Sequence, residues 1–325
     1  MSHKVKKIIR LDRNEVPFEV PKKFKTELIE IINGMEMNRY PEDYSESLRE
    51  KIGRLYGLSA DNVIVGNGSD QVITFLFDFL RNTRIVTSTP TFSMYRFFAK
   101  AKGIDFTEIP MTRLFQPDVD RMLDMADSSY VVCSPNNPTG DTAKKDTVKR
   151  LLETGRTVIV DEAYGEFAGR SYTDLVRDYD NLIVLRTFSK AFGLAGLRVG
   201  YALSSSDTMG RILDTIPPFI LSTISHAAAS LMLDYRQEIM KNVEYIIHER
   251  ERIYREISHF SFPSKANFIL VNLDCFQFLK DNGIIVRKLE NPLSRMVRVT
   301  VGLKSENDAV MDAMKTFLDD FYQKN

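Results

Sequence analysis

Thr157-Val158-Ile159-Val160-Asp161-Glu162-Ala163-Tyr164 and Asn181-Leu182-Ile183-Val184-Leu185-Arg186-Thr187-Phe188-Ser189-Lys190 share one design: a short unbroken apolar run that ends in polar groups. Three or four consecutive aliphatic residues read as a strand buried on both faces, as in a parallel sheet covered by helices. Residues 62–65, 84–88 and 130–133 repeat the pattern. Between them lie helix-period stretches at 70–80, 92–101 and 143–153, long enough to serve as right-handed crossovers. The predicted fold class is therefore α/β, with a mostly parallel doubly wound sheet in a large domain.

The two ends of the chain read differently. Pro21 suits a first helical position, Phe24, Leu28, Ile31 and Ile32 repeat at helical spacing, and Gly34 offers a stop. A helical pattern runs from 222 to 258, with Ile239, Val243, Ile246, Ile253 and Ile257 on one face. Residues 267–272, 284–287 and 296–301 read as strands. Ser305 with Asp308 then predicts the cap of a last helix, whose Val310, Met314, Phe317 and Phe321 share a face. Both ends are assigned to one smaller α+β domain, giving a division into 36–235 and 1–35 with 236–325.

Composition narrows the function. The 325 residues hold 44 Lys+Arg against 44 Asp+Glu, so the chain lacks the basic surface that counter-ion release on nucleic acid requires. At 43% hydrophobic and 27% charged it is neither disordered nor fibrous. No run of about 18 apolar residues predicts a membrane span, and the basic start at 1–10 has no apolar stretch behind it, so a cytoplasmic protein is expected. Two cysteines, Cys133 and Cys275, fit a reducing compartment. Four scattered histidines, with no C-x-x-C or H-E-x-x-H spacing, argue against a protein-built metal site. No G-x-S-x-G elbow supports a serine hydrolase.

In open α/β sheets ligands sit outside the carboxyl ends of the strands. Those ends carry Ser134-Pro135-Asn136-Asn137-Pro138-Thr139-Gly140, then Asp161-Glu162-Ala163-Tyr164, then Arg186-Thr187-Phe188-Ser189-Lys190, with Arg198 further on. Singly, each is an ordinary turn, cap or surface charge. Together they supply what a pyridine aldehyde phosphate needs: an amine for a Schiff base, a carboxylate for the pyridinium nitrogen, and donors for the ring oxygen and phosphate. A fourth end, Gly66-Asn67-Gly68-Ser69-Asp70, opens a helix whose first N–H groups suit a phosphate. As G-x-G-x-x-G it fails, because Gln71 stands at the third glycine and the strand at 84–88 does not end in an acidic residue. Phe92 or Tyr95, after the strand at 84–88, could stack on a cofactor ring.

This set resembles the fold-type I pyridoxal-phosphate aminotransferases, most closely the histidinol-phosphate aminotransferase family. The resemblance spans nearly the whole chain, from Leu11-Asp12-Arg13-Asn14-Glu15-Val16-Pro17 to Arg298-Val299-Thr300-Val301-Gly302. Its most specific stretch is Arg186-Thr187-Phe188-Ser189-Lys190-Ala191-Phe192-Gly193-Leu194-Ala195-Gly196-Leu197-Arg198-Val199-Gly200-Tyr201. By this resemblance Lys190 carries pyridoxal 5'-phosphate and moves the proton of the 1,3-shift. Asp161 pairs with the pyridine nitrogen, and Asn137 and Tyr164 bind the 3-oxygen. Thr187, Ser189, Arg198, Ser69 and Asp70 hold the phosphate, the last two through backbone N–H. Phe92 stacks on the ring where the family more often has tyrosine.

The resemblance also implies a homodimer, since Tyr40 matches a tyrosine lent to the neighbouring subunit's cofactor phosphate. Arg298 matches the arginine that grips the substrate carboxylate, and Arg287 one associated with the substrate phosphate. Asn14 lies in the segment that covers the site. That segment follows a shorter N-terminal arm than many family members have. The implied reaction is transamination of L-histidinol phosphate with 2-oxoglutarate, a step of histidine biosynthesis, in a ping-pong cycle through pyridoxamine phosphate. Two related activities need the same cofactor residues: decarboxylation of a phosphorylated amino acid such as threonine phosphate, and aromatic amino acid transamination. An effector-sensing role without catalysis would need an added DNA-binding module.

Overall fold

A computed structural model describes residues 8–324, with side chains described through residue 320. The strands are β1 (Ile9–Leu11), β2 (Val63–Asn67), β3 (Arg84–Thr89), β4 (Phe106–Pro110), β5 (Ser128–Cys133) and β6 (Val158–Asp161), then β7 (Leu182–Thr187), β8 (Val199–Leu203), β9 (Phe268–Val271), β10 (Ile284–Lys288) and β11 (Val297–Thr300). The helices are α1 (Lys22–Asn33), α2 (Glu46–Leu55), α3 (Gly68–Phe79), α4 (Met94–Lys102), α5 (Val119–Leu123) and α6 (Lys145–Leu152), then α7 (Ser206–Leu213), α8 (Thr223–Asp234), α9 (Arg236–Ile257), α10 (Phe276–Asp281) and α11 (Lys304–Lys324).

Seven strands form one sheet in the order β2-β8-β7-β6-β5-β3-β4. All its pairings are parallel except those of β8, which runs antiparallel between β2 and β7. The apolar runs that predicted strands are its centre, and Ile183, Val184, Val158 and Val160 are fully buried. Each such side chain contributes about 1.5–3 kcal/mol of burial. The reversal of β8 positions the site. Its first residues pair with the last of β2 and β7, Asn67 opposite Val199 and Thr187 opposite Gly200. Arg198, which precedes β8, therefore stands at the same rim as the carboxyl ends of the parallel strands. A Cβ on Gly200 would collide with the backbone of Gly68 and Ser69, so glycine here lets α3 begin against β8.

The second sheet has the order β1-β10-β11-β9, with β1 parallel to β10 and the rest antiparallel. Strand β1 was not foreseen, because three residues give no period to read. It ties the beginning of the chain to its end and aims residues 12–20 at the rim of the large sheet. Opposite each other on β10 and β11 stand Arg287 and Arg298.

Several boundaries differ from expectation. The pattern at 222–258 is two helices, α8 and α9, because Tyr235 leaves helical geometry (φ −90°, ψ 5°) and sends its hydroxyl to Glu27 on α1. Apolar period alone does not register such a corner. Ser305 and Asp308 do not cap α11. Glu306 and Asn307 reach back to the N–H groups of Leu303 and Gly302 instead, at 2.9 and 2.8 Å. Asp308 faces Lys304 and Arg252. Pro21 is the cap before α1 rather than its first turn. Helix α4 starts at Met94, which leaves Phe92 on the preceding turn. Val310 and Met314 are buried as predicted, whereas the Phe321 side chain lies outside the described residues.

Candidate active site

A cavity of about 400 Å³ opens at the carboxyl rim of the large sheet, closed from above by residues 12–14 and by β10, β11 and the loop after β10. Side-chain alternation decides what enters it. On β6, Asp161 faces the cavity. Its neighbour Glu162 turns away to Arg186, which also holds Glu166, at 2.9 and 2.7 Å. That buried ion network ties β6 to β7 behind the site. The two amides of the Asn136-Asn137 turn also divide their work. Asn136 is structural, accepting from Thr91 Oγ1 at 2.7 Å and donating to the Pro90 carbonyl at 3.0 Å. Asn137 faces the cavity.

At its floor, Asp161 Oδ2 accepts a hydrogen bond from Tyr95 Oη at 2.6 Å, and Oδ1 accepts from the Ala163 N–H at 2.9 Å. Burial pushes this carboxyl up to about 6, while both hydrogen bonds pull it back. Burial likewise lifts the Tyr164 phenol to about 12, against the pull of Arg298 and of the Asn14 amide, which donates to its oxygen at 2.9 Å.

Lys190 comes from the turn after β7. Its Nζ donates to the Arg13 carbonyl at 3.0 Å and stands 5.8 Å from the centre of the Tyr164 ring. Burial, and next the positive charge of Arg298, bring its pKa down to about 8. Nearby, Arg198 donates to Asp70 at 2.9 Å and to Ser189 Oγ at 3.4 Å, while Thr187 Oγ1 accepts from the Ser189 N–H at 3.0 Å. Asp70 therefore enters with its carboxylate already on Arg198. Ser69 lines the same corner at the start of α3.

From the opposite wall Arg298 reaches in, donating to Asn137 Oδ1 at 2.6 Å and to the Asp12 carbonyl at 2.8 Å. Its buried Nε has no hydrogen-bond partner among the described residues. Arg287 lines the cavity beside it and is exposed. Asn14 is fastened on every side, to Thr300 at 3.0 and 3.1 Å and, through its carbonyl, to Asn267 at 3.0 Å.

The family model for class I and II aminotransferases matches residues 6–314. A histidinol-phosphate aminotransferase of Pyrococcus furiosus is 42% identical over 96% of this chain and 93% of its own length. The chain belongs to the class I and II aminotransferases. Within them it belongs to the histidinol-phosphate aminotransferase family. The same fold appears in solved structures. The histidinol-phosphate aminotransferase of Clostridium acetobutylicum superposes with a TM-score of 0.88 at 23% identity, covering 96% of this chain and 100% of that one. That of Sinorhizobium meliloti, in complex with pyridoxal-5'-phosphate, gives 0.84 at 24% identity over 95% and 91%.

In this aminotransferase the cavity brings together Lys190, Asp161, Asn137, Tyr164, Thr187, Ser189, Arg198, Ser69, Asp70, Phe92, Arg287, Arg298 and Asn14. It does not include Tyr40, which is 81% exposed and stacked on Phe219 with ring centres 4.7 Å apart. Tyr95 does not stack in the aminotransferase pocket either. It lies wholly buried beneath it, edge-on to Phe92 and bonded to Asp161. Its spacing held the signal: three residues after Phe92 and second in α4, it closes a single turn in which its N–H donates to the Phe92 carbonyl at 3.2 Å. The backbone grip of Arg13 on Lys190 had no sequence signal.

Proposed function

We propose that this aminotransferase moves the amino group of L-histidinol phosphate to 2-oxoglutarate in a ping-pong cycle. The observation that carries the reading is the pair Arg287 and Arg298, directly opposed on β10 and β11 at the cavity wall, in a chain 42% identical to a histidinol-phosphate aminotransferase. Planar guanidinium groups suit both a phosphate and a carboxylate, so one wall can serve the phosphorylated donor and then the dicarboxylic acceptor.

The cofactor is pyridoxal 5'-phosphate, and the residues present fit it. Asp161 is a buried carboxyl bonded only by neutral donors, the environment that a pyridinium N–H completes. Arg198, Ser189, Thr187 and the first N–H groups of α3 would hold its phosphate, Asn137 and Tyr164 would donate to its ring oxygen, and Phe92 would pack on its ring. When bound, the cofactor supplies an electron sink for the pair released as the substrate Cα–H breaks. Lys190 Nζ, with a pKa near 8, takes that proton from Cα and returns one, a task matched to neutral pH. Arg298 orients the substrate by its anionic end, and Asn14 keeps the covering segment in place, excluding water from the proton transfer.

The working unit is a homodimer in the cytoplasm. Tyr40 and Phe219 support the dimer, because a stacked pair of exposed aromatics outside the cavity suits burial against a second copy that receives Tyr40 at its phosphate corner. The separate sheets support the division into 36–235 and 1–35 with 236–325. No described helix is long and apolar enough to cross a membrane. To test the reaction, the purified enzyme is given imidazole-acetol phosphate and glutamate. Release of 2-oxoglutarate supports the assignment, whereas release of carbon dioxide from threonine phosphate with no such exchange replaces it.

A further inference from the structure

The hydroxyl of Tyr95 is the only side-chain hydrogen-bond donor recorded on Asp161 among the described residues, and at 2.6 Å it is a short bond to a carboxylate. The ring that carries it is 1% exposed and packs edge-on against Phe92 at 5.4 Å, so it has no freedom to leave. Phe92 and Asp161 both line the cavity, and Tyr95 touches each of them. Tyr95 thus joins the surface that meets the ring face to the group that meets the ring nitrogen.

The groups that face Asp161 come from several elements. Tyr95 comes from α4, Cys133 is its direct neighbour across β5 and β6, Asp70 approaches from α3, and Tyr164 follows on its own segment. All are acids, and none supplies positive charge. Burial first, and then the charge of Asp161, hold the Tyr95 phenol well above its usual range and the Cys133 thiol up at about 12. Neither ionises near neutral pH. The Tyr95 proton therefore stays available to the carboxylate, and the other negative charge facing it, on Asp70, is paired with Arg198.

We propose that Tyr95 is a positioning residue of the transamination site: by donating to Asp161 Oδ2 it holds that carboxylate anionic and aimed at the cofactor's ring nitrogen. This rests on the aminotransferase reading, in which Asp161 keeps the ring nitrogen protonated. Without the bond, burial would dominate, Asp161 would take up a proton of its own, and the electron sink would weaken without any change in the residues that touch the cofactor.

The test is Tyr95→Phe, which keeps the ring and its packing on Phe92 and removes one oxygen. Binding of pyridoxal phosphate to the variant and to the parent enzyme is compared with binding of the analogue that has carbon in place of the ring nitrogen. A lost hydrogen bond to a charged group predicts about tenfold or more weaker binding of pyridoxal phosphate. The analogue, which cannot be protonated, binds the variant as well as the parent or better. Equal weakening of both ligands would mean that Tyr95 only packs, and no weakening of either would mean that it does nothing for Asp161. A second measurement is independent of the cofactor: carbon-13 titration of the Asp161 carboxyl in the cofactor-free chain. The midpoint rises by about one to two pH units in the variant. An unmoved midpoint overturns the proposal even if the aminotransferase reading stands, and a parent enzyme that binds no pyridoxal phosphate overturns that reading whatever the carboxyl does.

Discussion

At the carboxyl ends of β5, β6 and β7 the polar groups are already bonded to one another, with Asp161, Thr187 and Ser189 buried, whereas across the cavity Arg287 and Arg298 keep donors to spare. Asp161 has Tyr95 and the Ala163 N–H, Thr187 has Ser189, and Arg198 has Asp70. On the other side Arg298 Nε has no partner among the described residues and Arg287 is exposed. The contrast fits two kinds of ligand. A resident cofactor rewards a rigid, desolvated floor whose pKa values are displaced before anything binds. Substrates that alternate in one pocket need a wall that accepts different anions and releases them.

The sharpest way to break this comparison is at the floor. Lys190→Ala should lower multiple turnover by at least about 10³-fold, since both the covalent link and the proton carrier go. Retained turnover would remove Lys190 from its role. The wall should give smaller and substrate-selective effects. Arg298→Lys should cost about 10²-fold in kcat/KM for both half-reactions, because the forked contact is lost and Asn137 loses its partner. Arg287→Met should cost about tenfold with the phosphorylated donor and leave the glutamate half-reaction near its original rate. Equal losses in both would erase the distinction between the two arginines.

The smallest effect concerns stability and has the opposite sign. In the cofactor-free enzyme the Asp161 carboxyl titrates near 6 instead of its ordinary value near 4. The folded chain therefore holds more protons than the unfolded chain between these values, so the group's contribution falls as pH rises through that window and stays unfavourable above about 6. Asp161→Asn should then stabilise the cofactor-free chain above pH 6 by about 1–3 kcal/mol, measured by denaturant unfolding, while weakening cofactor binding. A destabilised variant at pH 8 would show that the carboxylate is at ease in its site and that burial is not what displaces it.

Much of the floor was legible because its residues follow buried strands directly: the runs at 157–160 and 181–185 placed Asp161, Tyr164 and Lys190 at one rim. The antiparallel turn of β8 was not legible, since a five-residue strand carries no sign of direction, yet it is what brings Arg198 to the corner. The clasp around Asn14 joins it to Thr300, a separation of 286 residues, and spacing cannot show such contacts. Tyr95 was weighed as a ring for stacking, because sequence reveals that an aromatic is near but not that its hydroxyl finds a buried carboxylate. The helix corner at Tyr235 and the back-reaching Glu306 and Asn307 were missed for the same reason: a tertiary or cap contact overrode a local pattern.

The most direct test of the central claim is a visible absorbance titration of the purified enzyme with L-histidinol phosphate, with no keto acid present. The account predicts that the cofactor's visible band bleaches and returns when 2-oxoglutarate is added. A band that ignores histidinol phosphate, or a protein that shows no band even with added pyridoxal phosphate, would contradict it.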